Sequence, residues 1–273
     1  MHKNSYQLIK NHFNKRSKDI GSIEFIIHEV TSRMMDRLNY IKLLPKRILD
    51  IGSGLNLGSK QLQHKFQKSQ ILKLDFAINM LKIHNRKLGF IEKVLNRNRE
   101  YICANAINLP IANQSVDFVW SNLVLPYIED IELYFKEIRR ILAINGSFLI
   151  SGLGVYSLRE LRDIGLSTYN FPDMHVIGDI LVKLGFTNPV TDVEYITLEY
   201  DNFDQLLKDV RTIGCGFAIE KPNKITKYNY RLLRDKFSQI TKNGKLPLTL
   251  EVFYAHAWKD RVVADLPDGV SAV

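Results

Sequence analysis

The sequence predicts an α/β fold, in which a parallel sheet is covered by helices on both faces and a helical insertion precedes the last strand. Short apolar runs alternate with amphipathic stretches between residues 46 and 150, and parallel strands need helix-sized crossovers between them. Two of these runs end in an acid, at Asp50 and Asp75. In such sheets ligands bind outside the carboxyl ends of the strands, so these acids indicate a ligand site.

Each element of the alternation has a local reason. Residues 46–52 form an apolar run that stops at an acid and a glycine, as a buried parallel strand does where it meets its loop. Leu57, Leu62 and Phe66 mark one face of a short helix. Further strands are predicted over 71–75, 101–104, 116–120 and 147–150, and helices over 77–88 and 133–142, the latter closed by a turn at Asn145-Gly146.

The C-terminal part continues with a helix over 179–184, an alternating strand over 190–200, helices over 203–213 and 230–240, and a last strand over 248–258. We expect the helices between 202 and 242 to form a lid over the open end of the sheet. Residues 1–45 are expected to be a helical cap on the 46–259 domain, and 260–273 a flexible tail.

Composition restricts the class of protein. A chain of 273 residues with 45% hydrophobic content can bury one substantial core. The longest apolar run, 118–128, is broken by Ser121, Asn122 and Pro126, so no bilayer span is expected. The N-terminus lacks a signal-peptide core, although a mitochondrial-type presequence stays open. Two cysteines without CxxC or histidine company indicate neither zinc nor disulfides. We expect a soluble, cytoplasmic monomer without a metal.

The net charge of +9 would attract an acidic partner. The basic residues are, however, spread along the whole chain, and no cluster of arginines and aromatic residues suggests RNA binding. Nucleic acid is therefore not the expected partner, and a general compositional bias is the simpler explanation of the charge.

The loop after the first strand favours one cofactor class. Gly52 and Gly54 let the backbone approach a ligand closely, but residues 55–57 do not complete the GxGxxG cradle that holds a pyrophosphate. Asp50 immediately before the loop suits a cationic ligand. S-adenosylmethionine therefore fits this loop better than a dinucleotide does.

The sequence resembles the class I methyltransferases, with their Rossmann-like sheet, and more closely the malonyl-acyl-carrier-protein O-methyltransferases of biotin synthesis. The segments that carry the resemblance lie at 25–40, 49–54 (LDIGSG), 109–130, 157–162, 210–214 (VRTIG) and 246–259 (LPLTLEVFYAHAWK). The resemblance implies a set of residues that bind S-adenosylmethionine. They are Asp50, Gly52, Ser53 and Gly54 at the methionine end, Asp75 and Phe76 at the ribose, Asn105 and Ala106 at the adenine, and Asn122 facing the sulfonium.

Three positions depart from the family pattern. Asn56 stands where a third glycine is common, and Asn105 stands where an aspartate is usual. Asn105 retains an acceptor oxygen for the adenine amino group. Ile20 replaces an aromatic hydroxyl, which is expected to weaken closure over the cofactor.

The substrate side is less well defined by the sequence. The resemblance implies malonyl-acyl-carrier protein as partner, with Arg211 beside the substrate, and Tyr127 and Arg162 are further substrate-binding candidates. Each has an alternative as a loop-packing or surface residue. No catalytic residue is assigned, because a carboxylate nucleophile with a pKa of about 4 is already ionised at neutral pH. Two other functions stay open: an assembly or hydroxylation factor for respiratory complex I, and an RNA or small-molecule methyltransferase.

Overall fold

The structure is a computed structural model that describes residues 3–87, 101–166, 168–214, 227–239, 241 and 244–260. One seven-stranded sheet runs in the order β3-β2-β1-β4-β5-β7-β6. Strands β1 to β5 are parallel, whereas β7 pairs antiparallel with both β5 and β6. The strands are β1 (Arg47–Ile51), β2 (Gln70–Asp75), β3 (Tyr101–Cys103), β4 (Val116–Ser121), β5 (Leu142–Leu153), β6 (Thr187–Tyr200) and β7 (Leu246–Lys259). The α/β class is confirmed, with a mixed rather than fully parallel sheet.

Nine α-helices lie within the described residues. They are α1 (Lys3–Arg16), α2 (Glu24–Leu38), α3 (Leu57–Lys65), α4 (Ile78–Lys87), α5 (Ile131–Ile141), α6 (Arg159–Asp163), α7 (Met174–Lys183), α8 (Phe203–Ile213) and α9 (Lys227–Ser238). Short 3-10 turns occur at Ile20–Ile23 and Leu125–Tyr127. None of the described helices is long and apolar enough to cross a membrane.

The prediction that a turn at Asn145-Gly146 ends the helix is wrong. Helix α5 stops at Ile141, and the chain passes directly into β5. Val116 of β4 pairs with Leu142 and Phe118 pairs with Ser147, so β5 contains extra residues at this point. Asn145 adopts a left-handed φ of 63° there. The Asn-Gly pair therefore forms part of a β-bulge inside the strand. A bulge can use the same left-handed backbone conformation as a turn.

Other boundaries lie earlier than predicted. Helix α7 begins at Met174 instead of 179, because Asp173 caps it by accepting from the backbone N–H of His175. Strand β6 begins at Thr187 instead of 190, where a register shift against β7 hides the alternation. The predicted tail after 260 and position 88 of the second helix lie outside the described residues.

The sheet carries a core on each face, because successive residues of a buried strand point to opposite sides. Phe118 and Trp120 join the core beneath α2, α3 and α8. Val119 joins the other core, beneath α5 and α7. Helix α5 contributes residues at helical spacing, namely Tyr134, Phe135, Ile138 and Ile141, all of them fully buried.

Helix α2 is held against the outer part of the sheet by charge as well as by burial. Val30 and Met34 are completely buried, while Arg37 pairs with Asp192 and Glu194 on β6 and lies 3.6 Å over the ring centroid of Tyr254. Helix α1 contacts α4, and α8 packs against the 3-10 turn at Ile20–Ile23. The N-terminal helices therefore lie beside the carboxyl ends of β1 and β2. The division into cap, lid and tail stays a prediction.

Candidate functional site

A deep pocket opens at the carboxyl ends of β1, β2 and β4, between the N-terminal helices and the sheet. The nine residues predicted to bind the cofactor all line it. They are Asp50, Gly52, Ser53, Gly54, Asp75, Phe76, Asn105, Ala106 and Asn122. The sequence positions span more than 70 residues, and parallel strands bring them together because their carboxyl ends meet at one edge of the sheet.

Asp75 ends β2 and ties the glycine loop to the next helix. Its Oδ2 accepts from the backbone N–H of Gly54 at 3.1 Å, and its Oδ1 accepts from the backbone N–H of Ala77 at 2.9 Å. The carboxylate has about four acceptor sites and also receives a hydrogen bond from the backbone N–H of Phe76, so about one site remains for a ligand. Burial raises the pKa of Asp75 to about 6, and the backbone N–H groups of Ala77 and Gly54 oppose that rise.

Asp50 is the residue before the last one of β1 and is only 2% exposed. Burial raises its pKa to about 7, and the hydrogen bond from the Ser59 hydroxyl and the charge of Lys73 lower it only in part. A buried carboxylate is costly without a cationic partner. A positively charged ligand in the pocket would remove that cost. Asp50, Asp75 and the loop at 52–54 are called the acidic half of the pocket below.

The structure gives Gly52 a packing role in addition to the predicted close approach to a ligand, which stays a prediction. Gly52 has a φ of 72°, and a Cβ placed on it would lie 2.2 Å from Cγ2 of Val124. The missing side chain therefore makes room for the loop after β4, not only for a ligand. The backbone N–H groups of Gly52 and Ser53 both bond to the carbonyl of Leu74, which fixes the loop against β2. Gly54, with a φ of 44°, has ordinary contacts at its Cβ position.

The end of the pocket predicted to take adenine lies beyond β2 and β3. The side-chain oxygen of Asn105 accepts from the backbone N–H of Ile107 at 3.2 Å and keeps a second acceptor site. The ring of Phe76 packs against Tyr6 and Phe13 of α1, with centroids 5.7 Å apart in both pairs. The aromatic wall is therefore shared between the sheet and the N-terminal helix.

A second group of residues that line the pocket is apolar. This wall comes from the 3-10 turn, α2, the loop after β4, β5, α8 and β7. Its members, called the apolar half, are Ile20, Ile23, Ile26, Ile27, Leu123, Val124, Leu153, Ile213 and Leu250. Ile20, the position at which the resemblance leads us to expect an aromatic hydroxyl, is 4% exposed and belongs to this wall. Most of these residues were not assigned a role from the sequence, although the apolar spacing of Ile23, Ile26, Ile27 and Val30 marks a buried helix face.

Tyr127 lines the pocket, and its hydroxyl donates to the carbonyl of Ile213 at the end of α8. Its ring meets Phe13 edge to face with centroids 4.9 Å apart. Tyr127, in the loop after β4, thus contacts both α1 and α8 at the pocket that the predicted cofactor residues line.

The two predicted substrate-binding arginines do not line the pocket. The Arg162 guanidinium donates to the carbonyls of Ser157 and Val155, at 2.6 and 2.8 Å, and to the hydroxyl of Thr168 at 3.2 Å. These bonds hold the segments on either side of α6, at 155–157 and at Thr168, against the helix. Arg211 lies on the exposed side of α8, two residues before the pocket residue Ile213.

S-adenosylmethionine fits the residues present. Two buried carboxylates with raised pKa values face a pocket whose other described lining residues carry no charge. Both acids line the pocket, and their separate roles, Asp50 at the cationic methionine end and Asp75 at the ribose hydroxyls, stay predictions. Among the described residues, no group of three or more histidine, cysteine or acidic side chains could hold a metal ion.

Comparisons with known proteins agree with this geometry. Residues 49–150 match the family described as methyltransferase domain. The chain is 34% identical to a malonyl-[acyl-carrier protein] O-methyltransferase of Methylovorus sp., over 97% of this chain and 93% of the relative. It is 37% identical to the protein of that name from Gallionella capsiferriformans, over 90% and 88%. Phosphoethanolamine N-methyltransferase 2 of Haemonchus contortus has the same fold, with a TM-score of 0.58 and 20% identity over 90% of this chain and 58% of that one.

Proposed function

Since the chain belongs to the malonyl-[acyl-carrier protein] O-methyltransferase family and is an S-adenosylmethionine-dependent methyltransferase, we propose that it methylates the free carboxylate of a malonyl thioester on acyl-carrier protein, a step in biotin precursor synthesis. The observation that carries this proposal is that one pocket is lined both by two buried carboxylates, in the acidic half, and by the nine apolar side chains of the apolar half. The acidic half suits a cationic cofactor. The apolar half suits a short acyl group held away from water.

The chemistry asks little of the protein beyond orientation. Bound S-adenosylmethionine supplies a methyl group activated by a positively charged sulfur. The malonyl carboxylate is ionised at neutral pH, with an ordinary pKa of about 4, so no residue needs to remove a proton. Ile20, Leu153 and Leu250 exclude water, which strengthens the attraction between the carboxylate and the sulfonium. Holding the carboxylate oxygen, the methyl carbon and the sulfur in line lowers the entropic part of the reaction barrier.

Arg211 is proposed to contact the malonyl carboxylate at the pocket mouth. It lies in the last turn of α8, whose end is fastened to Tyr127 through the carbonyl of Ile213. Its side chain would have to turn from the exposed face toward the mouth. Arg162 is a weaker candidate, because its guanidinium already donates to three oxygens.

The carrier protein is proposed to dock beside the same helix. Lys208 is exposed on α8, one turn from Arg211, and Lys227 begins α9. Two further lysines of the same segment, Lys221 and Lys224, lie outside the described residues. Rim charges of this kind mainly raise the association rate and its salt dependence. A cytoplasmic location and a monomeric state are part of this proposal.

Transfer of labelled methyl tests the proposal. The protein is incubated with labelled S-adenosylmethionine and, in parallel, with malonyl-acyl-carrier protein, malonyl-coenzyme A or bulk RNA. Label should appear as a methyl ester on the malonyl thioesters and be lost on mild ester hydrolysis. Label in RNA alone would contradict the proposal.

Arg211→Ala should reduce turnover at saturating carrier protein by about 30-fold or more, since removing the partner of a buried charge costs about 2 to 5 kcal/mol. Cofactor affinity should not change. Arg231, exposed on α9, is the matched control. If Arg211→Ala and Arg231→Ala behave alike, the carboxylate is bound elsewhere.

A further inference from the structure

Two buried hydroxyls hold Asn122 from opposite sides. Ser151 on β5 accepts from the backbone N–H of Leu123 at 2.9 Å and donates to Oδ1 of Asn122 at 2.8 Å. On the other side, Nδ2 of Asn122 donates to Oγ1 of Thr31 at 2.9 Å, and Thr31 donates to the carbonyl of Ile27 at 2.6 Å. Thr31 and Ser151 are both 0% exposed. This series of hydrogen bonds connects the sheet to α2 along the pocket wall.

The donors and acceptors around the Asn122 amide favour one of its two orientations. A hydroxyl has a single proton. Ser151 accepts from the Leu123 N–H, and its own proton is paired only when the group on Asn122 that faces it is an acceptor. The Ile27 carbonyl can only accept, and it also lies 3.4 Å from Nδ2 of Asn122. A flipped amide would set two oxygens against each other and leave the Ser151 proton unpaired.

This orientation determines what Asn122 can offer a ligand. Both N–H groups of its amide are directed to α2, whereas the carbonyl oxygen has a second acceptor site. Asn122 lines the pocket. It can therefore attract a positive group but has no donor left for a carboxylate. The next residue, Leu123, has a left-handed φ of 56°, a conformation that non-glycine residues adopt only when their surroundings hold it.

We propose that Thr31 and Ser151 are positioning residues, which fix the Asn122 amide so that its oxygen faces the sulfonium of bound S-adenosylmethionine. The negative end of the amide dipole then favours the charged cofactor over its neutral product, S-adenosylhomocysteine. This proposal rests on the methyltransferase activity but not on the identity of the methyl acceptor.

Calorimetry with the two cofactor forms tests the proposal. Thr31→Val keeps the shape of the side chain and removes its hydroxyl, and Ser151→Ala does the same on β5. In each variant the affinity for S-adenosylmethionine should fall about fivefold or more relative to the affinity for S-adenosylhomocysteine. Turnover should fall with little change in the Michaelis constant of the acceptor. Thr31→Ser, which retains the hydroxyl, should restore the wild-type affinity ratio.

The chain offers a matched control for each variant. Thr212 is also 0% exposed and bonds back to the carbonyl four residues earlier, at 2.9 Å, but does not contact Asn122. Ser147 is 1% exposed and lies on β5 four residues before Ser151. Thr212→Val and Ser147→Ala report the general cost of removing a buried hydroxyl, and both should leave the affinity ratio unchanged.

An affinity ratio that is the same in the test variants, the controls and the wild type would overturn the positioning role. If Thr31→Val does not fold, Ser151→Ala decides the question by itself. Because binding of the two cofactor forms is measured without an acceptor, the result holds even where malonyl thioesters prove not to be methylated. A failure of the proposed function is thus distinct from a failure of this inference.

Discussion

The acidic half and the apolar half of the pocket are built in opposite ways. The acidic half comes from one continuous β-α-β stretch, in which Asp50 and Asp75 lie at the carboxyl ends of neighbouring strands. The apolar half combines the turn at Ile20–Ile23 with Leu153, Ile213 and Leu250, residues far apart in sequence. A short motif can therefore specify cofactor binding. If the apolar half holds the acceptor, as proposed, acceptor selectivity depends on contacts between distant parts of the chain.

The largest effect is expected at the loop that joins the halves. Gly52→Ala places a Cβ 2.2 Å from Val124 at a φ of 72°. Overpacking and left-handed strain together should destabilise the protein by about 2 to 5 kcal/mol. Thermal unfolding and cofactor calorimetry would measure both consequences, and cofactor binding should be lost with the loop geometry.

Gly185→Ala separates the strain from the clash. Gly185 has nearly the same φ, 71°, but its Cβ position meets only the Arg139 side chain, at 3.5 Å. The control should lose about 1 to 2 kcal/mol, the cost of the backbone strain alone, and still bind cofactor. Adding Val124→Ala to Gly52→Ala removes the clashing methyl group and should restore the part of the stability that the clash had cost. If Gly52→Ala and Gly185→Ala are equally stable, the steric account is wrong.

A smaller effect, confined to the acidic half, is expected from Asp75→Asn. Replacing one carboxylate oxygen by a donor removes a charge-assisted bond, worth about 1.5 to 3 kcal/mol, so cofactor affinity should fall about tenfold or more. Asp117→Asn is the control, because Asp117 also accepts from two backbone N–H groups, those of Lys46 and Arg47, but lies outside the pocket. Equal cofactor affinity in the two variants would contradict the assignment of Asp75 to the cofactor site.

The smallest effect concerns the contact between the apolar half and α8. Tyr127→Phe removes the hydroxyl that donates to Ile213 and keeps the ring contact with Phe13. Stability should fall by about 0.5 to 1.5 kcal/mol, the net value of one such bond. Hydrogen exchange should show faster opening at the end of α8. Unchanged exchange there would mean that Tyr127 does not hold the helix.

The sequence predicts the acidic half well because its signals are local. An acid that ends each of two apolar runs, with a glycine loop between them, is enough to bring Asp50 and Asp75 together. The contact of Tyr127 with a carbonyl 86 residues later has no such local signal. The same holds for Thr31 and Ser151, since a threonine in a helix or a serine in a strand is ordinary until the fold places Asn122 between them. Asn145 misled the prediction because a bulge and a turn demand the same backbone angles.

The raised pKa values give the acidic half a pH dependence. Asp50 and Asp75 hold protons more tightly in the folded chain than in the unfolded one, where a carboxyl pKa is about 4. Their contribution to stability without cofactor is therefore fully present at low pH and is lost as the pH rises through about 6 and about 7. A cationic ligand should reverse this loss by favouring the ionised forms.

Proton release on cofactor binding tests the central claim, that buried carboxylates receive the cationic cofactor, most directly. Calorimetry of S-adenosylmethionine binding at pH 6, in two buffers of different ionisation enthalpy, counts the protons released. The wild type should release about one to one and a half protons, because Asp50, mainly protonated at pH 6, and Asp75, about half protonated there, both become ionised. Asp50→Asn should bind more weakly and release substantially less. Equal proton release by the wild type and Asp50→Asn would contradict the assignment of Asp50 to the cofactor.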